Sequence, residues 1–386
     1  MRAFVFSDPA LASQAGRFVW LDLNTDRTEN EAVLQKHEAD ALPTFLVVDP
    51  KDESVVLRWV GSFSVPQAEA FLEEAREKLR SASAPASPAD AALDRADRLY
   101  GKRDYTAAAA AYREALAAAP AGWPRYNRAV EALLYSYQST QAYGEAVALA
   151  RAALPRLGGT PSALIVGTGG LDSAVQLPKD APDRAEALAE LEAGLTRAIA
   201  DPKLVAAADD RSGAYLSLLG ARKGADDATA ARRVATEWAA FLEGEAAKAK
   251  SPDERAVFDA HRLSAYLELG EPQKAIPMLE QSQRDLPEDY NPPSRLARAH
   301  AAMKDWDEAL AASSRAASLA TGRAKLRVLT GRAQLFKGKG DVVGARRTYD
   351  EAIAFGESLP EAERPAKQLE QLRKQRDELP LPSTRP

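Results

Sequence analysis

Apolar positions along the chain follow two different patterns. In the first eighty residues they come in short runs: FVWLDL (18–23), TFLVVD (44–49) and VVLRWVG (55–61). Runs of this length between turn residues predict buried strands. PKDES, between the last two, predicts a hairpin connection. A helical segment is expected at roughly 29–37, between the first two runs. Ala68, Phe71, Leu72, Ala75 and Leu79 recur at helical spacing over 65–79, with Pro66 in the first turn, where a missing N–H costs nothing. The order strand, helix, strand, strand, helix predicts an α/β or α+β layer. SASAPASPAD (81–90) then has the composition of a linker. Beyond it strand signals vanish: residues 91–375 are alanine-rich with helical periodicity, cut every dozen or so positions by Gly, Pro or Asp. The last stretch, 376–386, closes in ELPLPSTRP and is expected to be a disordered tail.

The helical part repeats itself. In each of five segments an apolar residue precedes a small one by three positions: Tyr105 and Ala108, Tyr143 and Ala146, Pro272 and Ala275, Trp306 and Ala309, Val342 and Ala345. From Ala275 to Ala309 is 34 positions and from Ala309 to Ala345 is 36. The small residue suits a helix crossing, the larger one fills the space beside the turn, and prolines such as Pro120, Pro155 and Pro287 close the second helix. This pattern resembles the tetratricopeptide repeat, a helix–turn–helix unit of about 34 residues. The resemblance implies an α-solenoid over 91–375, irregular at 160–250. Within that stretch GTGGLDS (167–173) admits two readings, a phosphate-cradling loop or a loose turn in a helix pair. The first lacks a Gly-Lys-Ser/Thr ending and a preceding parallel strand, so the second is expected.

The first eighty residues carry a second resemblance. FVFSDPAL, RFVWLDLNTD, LPTFLVVDP and VVLRWVG, followed by a terminal helix, resemble the thioredoxin superfamily, in particular its bacterial branch. The resemblance covers about a fifth of the chain. It implies a cis Pro43 and a peptide-docking loop at Leu42, Pro43 and Thr44. The first strand and the Cys-x-x-Cys motif of that superfamily are missing, and Met1 would fall inside its active-site helix. The expected fold class is therefore α+β multidomain: a truncated thioredoxin-like α/β domain at 1–80, then an all-α tetratricopeptide-like solenoid. The start reads as internal to a longer protein. If upstream residues supply the two cysteines, the alternative function is a thiol–disulfide oxidoreductase, with export to the periplasm.

Composition narrows the chemistry. Hydrophobic residues make up 46% and charged residues 28%, as in ordinary globular chains, and the net charge of −5 gives no pull towards nucleic acid or anionic membrane. No apolar run approaches the ~20 residues of a membrane span. With no cysteine, this sequence offers no disulfide, thiolate ligand or thiol nucleophile. His37, His261 and His300 stand far apart and suggest helix-surface or interhelical positions rather than metal ligands. Glu73-Glu74 and Asp209-Asp210 are adjacent in sequence and suggest solvated faces; His261 and Ser264 share one expected helix without an orienting acid. Neither a catalytic residue, a cofactor nor a metal is expected.

The function these features imply is non-catalytic: a cytoplasmic scaffold binding a peptide or protein partner in a solenoid groove. Groove positions fall on first helices of the repeats, with Tyr126, Asn127 and Arg128 as candidates in one pair and Arg295, Arg298 and His300 in another.

Overall fold

A computed structural model describes residues 5–6, 8–25, 27–37, 39, 43–60, 63–80, 87–360 and 364–380. The chain divides into two compact units. The first comprises Met1–Val19 and Val33–Val234, the second Trp20–Ala32 and Ala235–Pro386.

The first unit opens with a small mixed layer. After the short helix α1 (Glu31–Lys36), β1 (Thr44–Val48) and β2 (Val55–Val60) pair antiparallel, with Phe45 opposite Trp59 and a register shift at Val47/Val48. The connection is tight: Asp49 N donates to Ser54 O at 2.9 Å, and Glu53 takes φ of 58°. Helix α2 (Val65–Arg80) packs on β2. Val47, Leu57, Phe63, Ala68, Phe71, Leu72 and Ala75 form the core, with Phe63 in ring contact with Phe45, Trp59 and Phe71.

This layer corrects the thioredoxin expectation. Among the described residues the sheet has two strands, and FVWLDL is not one of them. Phe18 packs half-buried against the core, but Val19 is 90% and Leu21 79% exposed, so the run does not behave as a buried strand. An apolar run becomes a buried strand only where a ladder accepts its backbone groups, and the described ladder joins β1 to β2 alone. Leu42 lies outside the described residues, and with it the Leu42–Pro43 bond. Pro43 and Thr44 lead half-buried into β1.

Among the described residues, sixteen further helices carry the rest of both units. In the first are α3 (Pro88–Gly101), α4 (Tyr105–Ala118), α5 (Tyr126–Ser139), α6 (Tyr143–Leu157), α7 (Ser162–Gln176), α8 (Arg184–Ala200) and α9 (Ala208–Gly224). The division falls within α10 (Ala228–Lys248). The second unit holds α11 (Pro252–Ala256), α12 (Asp259–Leu269), α13 (Ala275–Asp285), α14 (Asn291–Ala302), α15 (Trp306–Leu319), α16 (Gly322–Lys339), α17 (Val342–Ser358) and, as the last, α18 (Ala366–Asp377). In the first unit α3 packs on α4, α5 on α6 and α7 on α8; the first helices α5, α7 and α9 also touch in succession. In the second, α12 packs on α13, α14 on α15 and α16 on α17, with α12, α14 and α16 again in succession. Stacked helix pairs with contacts between successive first helices are the architecture of an α-solenoid.

One backbone device recurs at six junctions. Arg103, Gln141, Asp226, Gly270, Lys304 and Gly340 have φ of 58, 58, 57, 73, 63 and 84°. The amide of each donates to the carbonyl three residues back, and the next amide to the carbonyl five back, as Arg103 N does to Tyr100 O at 2.9 Å and Asp104 N to Leu99 O at 3.0 Å. This Schellman closure satisfies the carbonyls that end the first helix. Asp104, Asp227 and Asp341 then cap the second helix through their carboxylates, at 3.0, 2.9 and 2.8 Å. Five residues after each left-handed residue stands an alanine. Ala108, Ala146, Ala275, Ala309 and Ala345 are 0% exposed, and Ala231, in the stretch expected to be irregular, is 7%.

Two boundaries move and one motif is placed differently. Helix α3 begins at Pro88 rather than after 90, because the Ser87 hydroxyl accepts from Asp90 N at 3.1 Å and Pro88 is preorganised for a first turn. Helix α18 continues to Asp377 and Leu379 is buried, so ordered chain extends past 376; residues 381–386 lie outside the described ones. Finally, the glycines of GTGG form neither a phosphate loop nor a turn. They sit inside α7, where a Cβ on Gly170 would stand 2.4 Å from Ala150 Cβ and one on Gly169 2.7 Å from Leu134 Cδ2. Close helix packing explains them.

Two substitutions separate packing from backbone conformation. Ala309→Phe, on a helix packed against α14, is expected to destabilise by about 1–3 kcal/mol through overpacking. Gly270→Ala meets open space, so its expected cost of about 1 kcal/mol is that of the left-handed backbone alone. Urea midpoints measured on both variants check this; an unchanged midpoint for Ala309→Phe would remove that residue from a helix crossing.

Candidate functional site

The described part of the first unit contains a cleft of 410 Å³ on its first-helix face. Helix periodicity selects the lining. From α5 come Arg128, Glu131, Ala132, Tyr135 and Gln138; from α7 come Ile165, Thr168, Gly169 and Asp172. Both sets step by three or four residues, so each is one stripe of its helix. Asp97 and Tyr100 of α3, Asp209, Asp210 and Gly213 of α9, and Arg58 and Trp59 of β2 complete the walls, with Tyr112 of α4 behind.

One wall is held by charge. The Arg128 guanidinium pairs with Asp97 through Nη2, and Tyr112 donates its hydroxyl proton to the other Asp97 oxygen at 2.8 Å. Burial and the adjacent carboxylate hold the Tyr112 hydroxyl well above the usual tyrosine range. Arg128 also donates to the Arg58 carbonyl at 3.4 Å, tying α5 to β2. Arg58 in turn donates to the His37 carbonyl. A second tie lies nearby: Arg125 Nε is 2.9 Å from Glu74 Oε1 of α2, and its other end pairs with Asp90, which also accepts from Trp123 Nε1 at 3.0 Å.

The rest of the lining is rich in carboxylates. Burial pushes the Glu131 carboxyl up to about 7 and, with Asp209 beside it, pushes Asp210 up to about 6. Desolvation also raises Asp172 at the mouth, against an opposing hydrogen bond from Ser217. Glu131 Oε1, Thr168 Oγ1 and Arg128 Nε are buried with no hydrogen-bond partner. Unsatisfied buried acceptors beside an open cleft are unusual and costly. Aromatic surface lies alongside: Tyr135 is 40% exposed and stacks obliquely with Tyr100 at 5.6 Å.

Of the residues singled out from sequence, Arg128 lines this cleft. Tyr126 and Asn127 do not. Tyr126 lies under the Arg156 guanidinium at 3.9 Å, and Asn127 donates to Thr160 Oγ1 at 3.4 Å. Three consecutive helical residues point about 100° apart, so the trio could not share a face. The signal that finds the face is the step of three to four residues from Arg128 to Glu131, Tyr135 and Gln138. Arg295, Arg298 and His300 lie on α14 in the second unit. Arg295 is half-buried with its charge acting on Asp259, Arg298 is exposed, and His300 Nδ1 is 3.2 Å from Asp305 Oδ2. They line no described cleft. The packing residues sit at the pair junctions: Tyr105 against Tyr100 at 5.2 Å, and Trp306 where a Cβ on Gly338 would come within 2.7 Å of its ring.

No protein-family model matches the chain, and no curated protein matches it. Solved structures that resemble it include a tetratricopeptide repeat protein from Parabacteroides merdae, at 12% identity and TM-score 0.47, over 76% of this chain and 100% of that one. BtubC from P. vanneervenii matches at 15% identity and TM-score 0.37, over 64% and 93%. The TPR2AB-domain:pHSP90 complex of yeast Sti1 matches at 16% and 0.28, over 75% and 98%. At such scores the class rests on the chain's own geometry. Six identical junctions, each followed by a buried alanine, define a solenoid of tetratricopeptide-like helix pairs.

The raised Glu131 carboxyl fixes a pH dependence. A folded-state value above the unfolded one means stability is lost as pH rises from the usual carboxylate range through about 7. Glu131→Gln is therefore expected to stabilise the protein above pH 7, by up to about 3 kcal/mol, and to change little near pH 4. Denaturant midpoints across that range check it; a uniform shift at every pH would contradict the assignment.

Proposed function

We propose that this chain is a non-catalytic interaction protein that binds a peptide or protein segment on the first-helix face of its first unit. The observation that carries this reading is the cleft itself. Five helices and a strand contribute to it, and its size of 410 Å³ falls in the range of ligand sites. Its polar groups are of few kinds and are mostly paired with one another or raised by burial, which suits recognition better than turnover. Among the described residues, no helix is long and apolar enough to cross a membrane.

The experiment is a selection from a random peptide library on the purified chain, repeated on Gly213→Phe. Gly213 faces the cleft, and a Cβ there meets nothing within 4 Å, so the new ring fills the cleft without crowding α9. The expected result is a family of enriched peptides whose binding disappears in Gly213→Phe while the melting curve is unchanged. Enrichment that is indifferent to the filled cleft, or no enrichment, would overturn the reading.

A further inference from the structure

The second unit breaks the repeat's pattern at one helix pair. Counted from each left-handed junction residue, the position eleven back is a core place on the first helix, and the position twelve on is a core place on the second. The first place holds Ala92, Val130, Tyr215, Pro293 and Leu329 in five pairs, and Asp259 in the α12–α13 pair. The second place holds Ala115, Ala153, Trp238, Ala316 and Ala352, and Ser282 in that same pair. Asp259 is 0% and Ser282 1% exposed. A carboxylate and a hydroxyl therefore stand, buried, where the other pairs carry apolar or aromatic side chains.

Their surroundings do not fully compensate. Ser282 of α13 adjoins Asp259, and the charges of Arg295 on α14, Arg262 on α12 and Arg255 on α11 reach it. Burial outweighs all four and holds the Asp259 carboxyl above its usual range. Both Asp259 oxygens, Ser282 Oγ and Arg262 Nε are buried without a hydrogen bond. Arg255 is itself paired with Asp285. Desolvated polar groups left short of bonds cost stability that apolar side chains at the same places would supply.

The pair is also short. Helices α12 and α13 run for 11 residues each, against 12 and 14 in α14–α15 and 18 and 17 in α16–α17. Helix α13 follows a 3-10 turn at Pro272–Lys274 and has no side-chain cap, whereas Asp341 caps α17. In a solenoid each pair is held by its own interior and by the neighbours it touches, so the pair with the poorest interior opens at the lowest cost.

We propose that the α12–α13 pair is the built-in opening point of the second unit: it detaches locally while α14 to α17 stay folded, and the buried Asp259–Ser282 pair sets that order. Such a point lets the unit yield at one place without melting the neighbouring pairs. It does not depend on the cleft of the first unit.

The test is native-state amide exchange of the full chain in urea below the unfolding transition. Interior amides of α12 and α13 are expected to exchange about tenfold or more faster than those of α14 to α17. The double variant Asp259→Val with Ser282→Ala installs the residues that α5 and α6 hold at the same places, Val130 and Ala153, and should close most of that gap. Where the double variant fails to fold, Asp259→Asn carries the test: it keeps the size, removes the charge and should narrow the gap about threefold or more. Equal exchange across α12 to α17 in the unaltered chain would overturn the proposal. A gap as wide in the double variant, or unchanged in Asp259→Asn where that variant carries the test, would overturn it as well, because short helices rather than the buried pair would then set the order.

Discussion

The six left-handed junction residues are the constraint on which the rest of the architecture depends. A helix that ends must dispose of its last carbonyls. Here the two backbone bonds around Arg103, Gln141, Asp226, Gly270, Lys304 and Gly340 do so and reverse the chain in three or four residues. Reversal that tight forces the second helix back against the first. The alanine five residues on is the consequence: at that distance the helices are close, and a larger side chain has nowhere to go. Four of the six positions are filled by residues other than glycine, each bearing about 1–2 kcal/mol of backbone strain. The chain sustains this because the closure satisfies carbonyls and an aspartate often caps the next helix at once.

Stacking of such pairs leaves the first helices side by side, and in the first unit that arrangement makes the cleft. Its two sides are built on different terms. The Arg128–Asp97–Tyr112 set satisfies its own charges and joins α3, α4 and α5. Glu131, one turn along α5 from Arg128, and Asp210 on α9 are held in surroundings that raise their carboxyls. Such groups cost folding stability as they ionise.

The sequence showed the helical region through its alanine period and found five of the six junction alanines. Ala231 escaped because the residue three before it is Ala228, too small to mark the pattern that Tyr, Pro, Trp or Val marks in the other five. The signal common to all six is the offset of five from the left-handed residue, and four of those residues are Arg, Gln, Asp and Lys, which announce no turn. The hairpin and α2 were legible from short apolar runs between turn residues and from helical spacing. FVWLDL was not: strand propensity is a statement about a partner, and the run's own residues do not reveal whether one exists. In the site, Arg128 was recoverable from its place on a first helix, but its neighbours in sequence were taken for its neighbours in space. The α7 glycines were legible as unusual, and only the packed helices show that Ala150 and Leu134 are what they make room for.

The most direct measurement is site-resolved amide hydrogen exchange at Asp104, Ala142, Asp227, Glu271, Asp305 and Asp341, the second amide of each junction. If the closures organise the solenoid, all six amides should exchange as slowly as those in the interiors of the helices they join. Exchange at the rate of an unstructured peptide, at these positions in an otherwise protected chain, would contradict the account.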